Sequence, residues 1–310
     1  MKPASGPDGT VLMGHGSRDP ASAEEFLTLA LTVAAAPELA GTVVVPGWLE
    51  FAGGPVPSIQ EAVNRCVAAG ARRIAAVPVI LFAGGHGAED MPAEVRLAQH
   101  RYPDIAVRPA DLVGIDDVLL ECLAARARAA AAPLPPWPHD QTGLLLVTSG
   151  SSSREANADV FKAARLLADL ADGMLVEVAF LRLARPFLQD AVRRCERLGA
   201  RRVIVLPLFL NTGLLARRVP RKLVWLRRQF PALELIEVPH LGVDPDLTAL
   251  LARRACDAFA ARDASRARLQ TPVYLAAGRE RTRPPREGYP HVAEHALAHP
   301  RSPQWEEIPS

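Results

Sequence analysis

The chain has 310 residues, a formal net charge of +2 and a hydrophobic share of 49%. That length accommodates one large domain or two of ordinary size, and the charge is too small to point to a nucleic-acid partner by itself. The first residues form no signal peptide and no apolar run is long enough to span a bilayer, so a cytoplasmic protein with no membrane partner is expected.

Short apolar runs alternate with longer amphipathic ones. In the first half, residues 10–13, 42–46, 73–79 and 105–108 read as strands. Between them, residues 21–35, 58–69 and 93–100 carry apolar residues at helical spacing, as in Ile59, Val63 and Cys66. The near-continuous apolar run from Ile74 to Phe82 suggests a sheet covered on both faces. Strand–helix alternation predicts a parallel sheet flanked by helices, with ligands beyond the carboxyl ends of the strands.

The first strand ends in Gly14-His15-Gly16-Ser17-Arg18-Asp19-Pro20. The glycines allow a tight turn around His15, and Ser17 or Asp19 is placed to cap a helix starting near Pro20. The second strand runs into Trp48-Leu49-Glu50-Phe51. The third ends in Phe82-Ala83-Gly84-Gly85-His86-Gly87-Ala88-Glu89-Asp90. His15 and His86 are thus both glycine-flanked residues following apolar strands. Neutral imidazole ligates divalent iron, cobalt, nickel and zinc. Two histidines leave coordination positions open, as metal transfer requires. Glu50 is a candidate third ligand, or a general base.

The chain then repeats. Residues 62–84 match residues 191–213 without a gap, at an offset of 129. Val11 to Asp19 aligns with Leu145 to Ser153, and the segment from Tyr102 aligns with that from Phe230. The proline-rich stretch 129–140 divides the copies. The expected organisation is a metal-binding domain at 8–130, a linker at 131–141, a degenerate second copy at 142–262 and a largely flexible tail at 263–310. In the second copy Ser149 stands where His15 stands, Arg182 where Glu50 stands, and Leu214 or Leu215 where His86 stands. Residues 182–228 hold 13 basic and two acidic residues. Arg217, Arg218, Arg221 and Lys222 follow the third strand of this copy and are candidates to bind an anionic ligand, Arg residues doing so bidentately. The turn from Ser149 through Ser151 to Ser153 is a second candidate for carboxylate binding. Ser17 and Arg18, in the matching turn of the first copy, are expected on the substrate side.

Cys66, Cys122, Cys195 and Cys256 lack any metal-ligand spacing and read as free, buried or half-buried thiols. In the tail, residues 273–277 could pair as a strand, and His291, His295 and His299 share one face if helical.

The first half resembles the CbiX/SirB-type sirohydrochlorin chelatases, which are class II chelatases. The resemblance rests on His15-Gly16-Ser17-Arg18, on Trp48-Leu49-Glu50, on the run from Pro78 to His86, and on Glu89-Asp90-Met91-Pro92. Trp48 and Ile80 replace phenylalanines of the family pattern and keep apolar character. The duplication matches the long bacterial forms. The resemblance implies two tandem α/β domains facing each other across a cleft, with His15, Glu50 and His86 as the catalytic and metal-handling set. It further implies sirohydrochlorin as substrate and Fe²⁺, for sirohaem, or Co²⁺, for cobalamin, as the inserted metal. No nucleotide is expected, since neither a P-loop nor G-x-G-x-x-G occurs. A monomer is expected, because the duplication supplies both halves of the cleft. The competing readings are a non-catalytic metal carrier or tetrapyrrole-binding protein, and a hydrolase using Ser17. The hydrolase lacks a G-x-S-x-G elbow.

Overall fold

The computed structural model describes residues 7–82, 84, 89–133, 138–171 and 173–261. His86, residues 273–277 and the tail histidines lie outside the described residues.

The first half places strands β1 (Gly9–Gly14), β2 (Val43–Trp48), β3 (Arg73–Pro78) and β4 (Ala106–Pro109) in one sheet. Helices α1 (Pro20–Ala34), α2 (Ile59–Ala68), α3 (Met91–Arg101) and α4 (Asp117–Ala131) follow the strands in turn. The second half repeats the pattern with β5 (Thr142–Thr148), β6 (Leu175–Phe180), β7 (Arg202–Pro207) and β8 (Glu234–Glu237). Its helices are α5 (Arg154–Leu170), α6 (Leu188–Arg197), α7 (Arg218–Gln229) and α8 (Pro245–Ala260). The strand orders are β2-β1-β3-β4 and β6-β5-β7-β8, and every pairing is parallel. The expected strands and first three helices of the first half are therefore present, each within a few residues of its expected ends.

Period-two alternation divides the core. Leu12, Leu144 and Leu146 face a central cluster shared by both halves. Val11 and Met13 point instead to a cluster under α2 and α3. Leu145 and Val147 point to one under α6 and α7. The central cluster also draws in Leu120 and Leu123 of α4 and Leu250 and Leu251 of α8. These two helices cross over: α8 packs against β3, β4 and α1, whereas α4 packs against α5 and β7. Each half is therefore completed by the last helix of the other.

The crossover is fastened reciprocally. Asp116 and Asp244 are the N-caps of α4 and α8. Arg126 of α4 donates to the Asp244 carboxylate at 2.7 Å and to the carbonyls of Pro239, His240 and Leu241. Arg254 of α8 returns to Asp116 at 3.0 Å and to the Leu112 carbonyl. Both carboxylates are thereby fixed between a helix N-terminus and a guanidinium.

Candidate functional site

In each sheet the chain runs outward from the central strand to one edge and then returns to its other side. The switch lies between β1 and β3, and between β5 and β7. At such a point the loops beyond the strand ends part and leave a crevice. The turn carrying His15 follows β1. The loop containing Gly84 follows β3.

The β1 turn is supported from below. Phe26 and Trp48 are buried with ring centroids 6.1 Å apart. A Cβ at Gly14 would come within 2.8 Å of Phe26 and 3.0 Å of Trp48, so only glycine fits over the aromatic pair. Trp48 thus fills the place of the family phenylalanine as a core side chain. Ile80 likewise packs at the edge of the core beneath α2 and α3.

His15 is exposed in this turn. Its carbonyl accepts the Glu50 amide at 2.9 Å, while the Leu49 amide donates to the Gly14 carbonyl at 3.0 Å. Gly16 follows with φ +103°, and a Cβ there would lie 2.0 Å from the Glu50 carbonyl oxygen. The ends of β1 and β2 are thus bonded together, with His15 and Glu50 on adjacent turns. Ser17 Oγ accepts the Asp19 amide at 3.1 Å, and Asp19, not Ser17, caps α1 by accepting from Ala21. Arg18 lies 4.8 Å over the ring of Phe51.

The second half reproduces this frame with other side chains. The Arg182 amide donates to the Ser149 carbonyl at 3.0 Å. Gly150 has φ +82°, and a Cβ there would lie 2.1 Å from the Arg182 carbonyl oxygen. Ser151 Oγ accepts the Ser153 amide at 3.1 Å, and Ser153 caps α5. The correspondences of His15 with Ser149 and of Glu50 with Arg182 are therefore correspondences of backbone position. Ser149 Oγ donates to the Gly150 carbonyl at 3.1 Å.

The carboxyl ends of the two sheets face each other. The Arg217 guanidinium pairs with Asp19 at 3.0 Å across the halves. Gly213 lies beside Ser17, and Gly84 beside Ser151. Glu25 of α1 accepts from the Thr212 amide and lies 2.9 Å from His240 Nε2. Burial pulls the Glu25 carboxyl upward, but the bonds from His240 and Thr212 outweigh it and hold the group below the ordinary carboxylate range. Sequence reasoning missed Glu25 and His240, which are 215 residues apart and belong to no motif.

The basic stretch of the second half divides by position. Arg194 and Arg197 lie in the last turn of α6, Arg201 and Arg202 at the start of β7, and Arg227 and Arg228 in the last turn of α7. These positions are at the end of the sheet opposite the crevice. Arg194 pairs there with Glu177, and Arg202 with Glu234. Arg193 lies in the middle of α6 and faces Asp190, and Arg182, Arg185, Arg217, Arg218, Arg221 and Lys222 lie at the carboxyl end. Of these, Arg217 is engaged by Asp19, whereas Arg218 and Arg221 are exposed in the first turns of α7. Burial, then the neighbouring Arg218, lowers the Lys222 ammonium below its usual range. Cations at a helix N-terminus oppose the helix dipole. Their cluster there favours an anion between them.

Among the described residues, Cys122, Asp244 and Asp246 are grouped closely enough to hold a metal ion. Asp244 is already engaged by Arg126 and the start of α8, and burial with the adjacent carboxylate pushes the Cys122 thiol up to about 11. Such a thiol is a poor ligand at neutral pH. No helix among the described residues is long and apolar enough to cross a membrane.

The chain matches the CbiX family model twice, over residues 9–130 and 143–258. It is 30% identical over 246 residues to a sirohydrochlorin cobaltochelatase of Priestia megaterium, covering 79% of this chain and 78% of that protein. It is 28% identical over 198 residues to a sirohydrochlorin ferrochelatase of the same organism, covering 64% and 72%. Among solved structures, SirB from Bacillus subtilis with Fe³⁺ superposes with a TM-score of 0.70 at 23% identity, covering 81% of this chain and 95% of that one. That likeness concerns the fold.

Proposed function

The chain belongs to the CbiX family, and from that premise we propose that it is a sirohydrochlorin chelatase inserting Fe²⁺ or Co²⁺ into the macrocycle without nucleotide hydrolysis. The observation that carries the reading is the asymmetry of two superposable turns. The backbone frame of His15 and Glu50 recurs at Ser149 and Arg182, but only the first copy carries imidazole and carboxylate.

In this reading His15 and His86 hold the incoming cation and Glu50 assists. Insertion exchanges pyrrole N–H protons for a divalent metal, so the site needs both ligands and proton acceptors. Imidazole serves in both capacities near neutral pH, and the adjacent carboxylate offers a second acceptor. Weak, open coordination lets the ion leave for the ring. The second copy grips the substrate's carboxylates through Arg218 and Arg221, with the Ser149–Ser153 turn as a further hydrogen-bonding edge. Ser17 and Arg18 serve the same purpose on the first side. Arg217, engaged by Asp19, contributes to substrate binding only by exchanging that partner. The protein acts as a monomer in the cytoplasm.

The test is absorbance of metal-free sirohydrochlorin with purified protein and Fe²⁺ or Co²⁺ under anaerobic conditions, without nucleotide. Conversion to the metallated spectrum above the uncatalysed rate, with either ion, is expected. A spectrum that tracks the uncatalysed rate with both ions refutes the reading and leaves a carrier.

A further inference from the structure

Ten large apolar side chains are exposed among the described residues. Leu31, Leu97, Phe161, Leu166, Leu170 and Val224 lie on helices, and Leu198 ends one. The other three are Phe51, Leu183 and Leu214, which are 42%, 60% and 71% exposed. All three lie in loops at the carboxyl ends of the strands. Isolated apolar residues on helix surfaces are ordinary. Three in loops at the ends of the sheets where the two halves meet need a physical reason.

Phe51 and Leu183 share a second property. Their φ values are +56° and +63°, and no other described residue besides glycine is left-handed. For a residue with a Cβ this conformation costs about 1 kcal/mol or more. The two positions correspond: each follows the residue, Glu50 or Arg182, whose amide bonds the neighbouring β–α turn. The strain is thus carried twice, at the same place in each copy, by large apolar residues left in solvent. Packing does not require it, because neither side chain is buried.

The surroundings of these residues are cationic. The Arg18 guanidinium lies 4.8 Å over the Phe51 ring, a cation against an aromatic face. Arg182 and Arg185 flank Leu183, and Arg217 and Arg218 follow Leu214; Arg185 pairs with Asp190 and Arg217 with Asp19, so Arg18, Arg182 and Arg218 carry the rim and the other two join it by exchanging partners. An apolar centre with a cationic rim complements a ligand that is flat and apolar in the middle and anionic at its edge. A carboxylated tetrapyrrole has that distribution.

We infer that Phe51 and Leu183, with Leu214, are specificity-determining residues that seat the apolar ring of the macrocycle, while the arginines beside them take its carboxylates. The inference rests on the chelatase reading and names the residues that would touch the ring. The left-handed backbone leaves both side chains exposed, and on binding these loops exchange solvent for ring.

The test is titration of the protein with metal-free sirohydrochlorin, followed by its absorbance and fluorescence, together with steady-state rates at varied macrocycle and varied metal. Phe51→Ala, Phe51→Gly, Leu183→Ala and Leu183→Gly are compared with Leu31→Ala on the outer side of α1. Glycine relieves the backbone strain and alanine retains it, but both remove the side chain. Both Phe51 variants are expected to weaken macrocycle binding by at least about fivefold. KM for the macrocycle should rise equally, with KM for the metal unchanged. The Leu183 variants should follow, and Leu31→Ala should match wild type. A Phe51→Gly protein with a raised Tm and macrocycle Kd within about twofold of wild type overturns the inference, since the outlier is then structural alone. Wild-type turnover with unaffected variants removes the inference and leaves the chelatase reading. A wild-type protein that neither binds nor metallates the macrocycle removes both.

Discussion

The amide of Glu50 donates to the carbonyl oxygen of His15 at 2.9 Å. This bond ties the end of β2 to the turn after β1 and sets Glu50 on the loop next to the His15 turn, which itself borders the switch between β1 and β3. Its counterpart joins Arg182 to Ser149 at 3.0 Å. The frame is common to both halves, whereas the imidazole and the carboxylate stand in the first alone, with serine and arginine in their places in the second.

Gly16→Ala tests the frame. The substitution forces a Cβ into the left-handed region and to 2.0 Å from the Glu50 carbonyl oxygen. Gly150→Ala does the same against Arg182 at 2.1 Å. Each is expected to destabilise by at least about 1 kcal/mol, seen as a Tm lower by at least about 2 °C. Only Gly16→Ala should also lower kcat for metal insertion by more than about tenfold, because it displaces His15 from Glu50. Equal kcat losses would contradict the asymmetry.

The helix crossover gives a second expectation. Arg126→Ala and Arg254→Ala each remove a guanidinium bound to the capping aspartate of the opposite half and to backbone carbonyls. Urea unfolding should show a loss of about 1–3 kcal/mol for either. Arg165→Ala breaks a pair whose side chains are 69% and 61% exposed, so the loss should stay below about 0.5 kcal/mol. Losses of the same size in all three would deny the crossover its role.

Stability should fall on the acid side through Glu25 and Asp244. Both carboxyls are raised by burial but held below their ordinary values by stronger opposing bonds, from His240 and Thr212 for Glu25 and chiefly from Arg126 for Asp244. A lowered folded value means the stabilisation is complete above the unfolded value and is lost as pH drops through the folded one. Glu25→Gln should therefore be less stable than wild type at neutral pH, with the Tm difference shrinking as the solution is acidified. A difference that grows on acidification would reverse the sign assigned here.

Thiol labelling follows from burial. Cys66 and Cys195 occupy matching buried positions, and burial pushes both thiols up to about 12. Cys256 is half-buried, and burial with the nearby Glu38 and Asp257 carboxylates raises its thiol above the usual range. With a disulfide reagent near neutral pH, Cys256 should react first, and Cys66 and Cys195 only on unfolding. Early labelling of Cys66 would contradict the packing.

The periodic signals were legible in the sequence. Apolar runs such as Ile74 to Val77 and the helical spacing of Ile59, Val63 and Cys66 mark elements locally. The duplication made the second sheet as plain as the first. The crossover of α4 and α8 was not legible, because the alanine-rich end of α4 shows little contrast between faces and no local pattern states which sheet a helix covers. The clasp of Glu25 on His240 was hidden by the same separation in sequence. The pairing of Arg217 with Asp19 was hidden in the same way, the two lying 198 residues apart. The left-handed backbone at Phe51 and Leu183 leaves no mark on a sequence that has neither glycine nor asparagine there.

The most direct measurement is the initial rate of metal insertion into sirohydrochlorin by the His15→Ala/His86→Ala double variant, beside wild type and Ser149→Ala, with thermal unfolding confirming that each is folded. The double variant should fall to the uncatalysed rate with both Fe²⁺ and Co²⁺, while Ser149→Ala retains wild-type kcat at saturating macrocycle, any loss falling on KM for the macrocycle. A folded double variant inserting metal at the wild-type rate would contradict a metal site built on the first half.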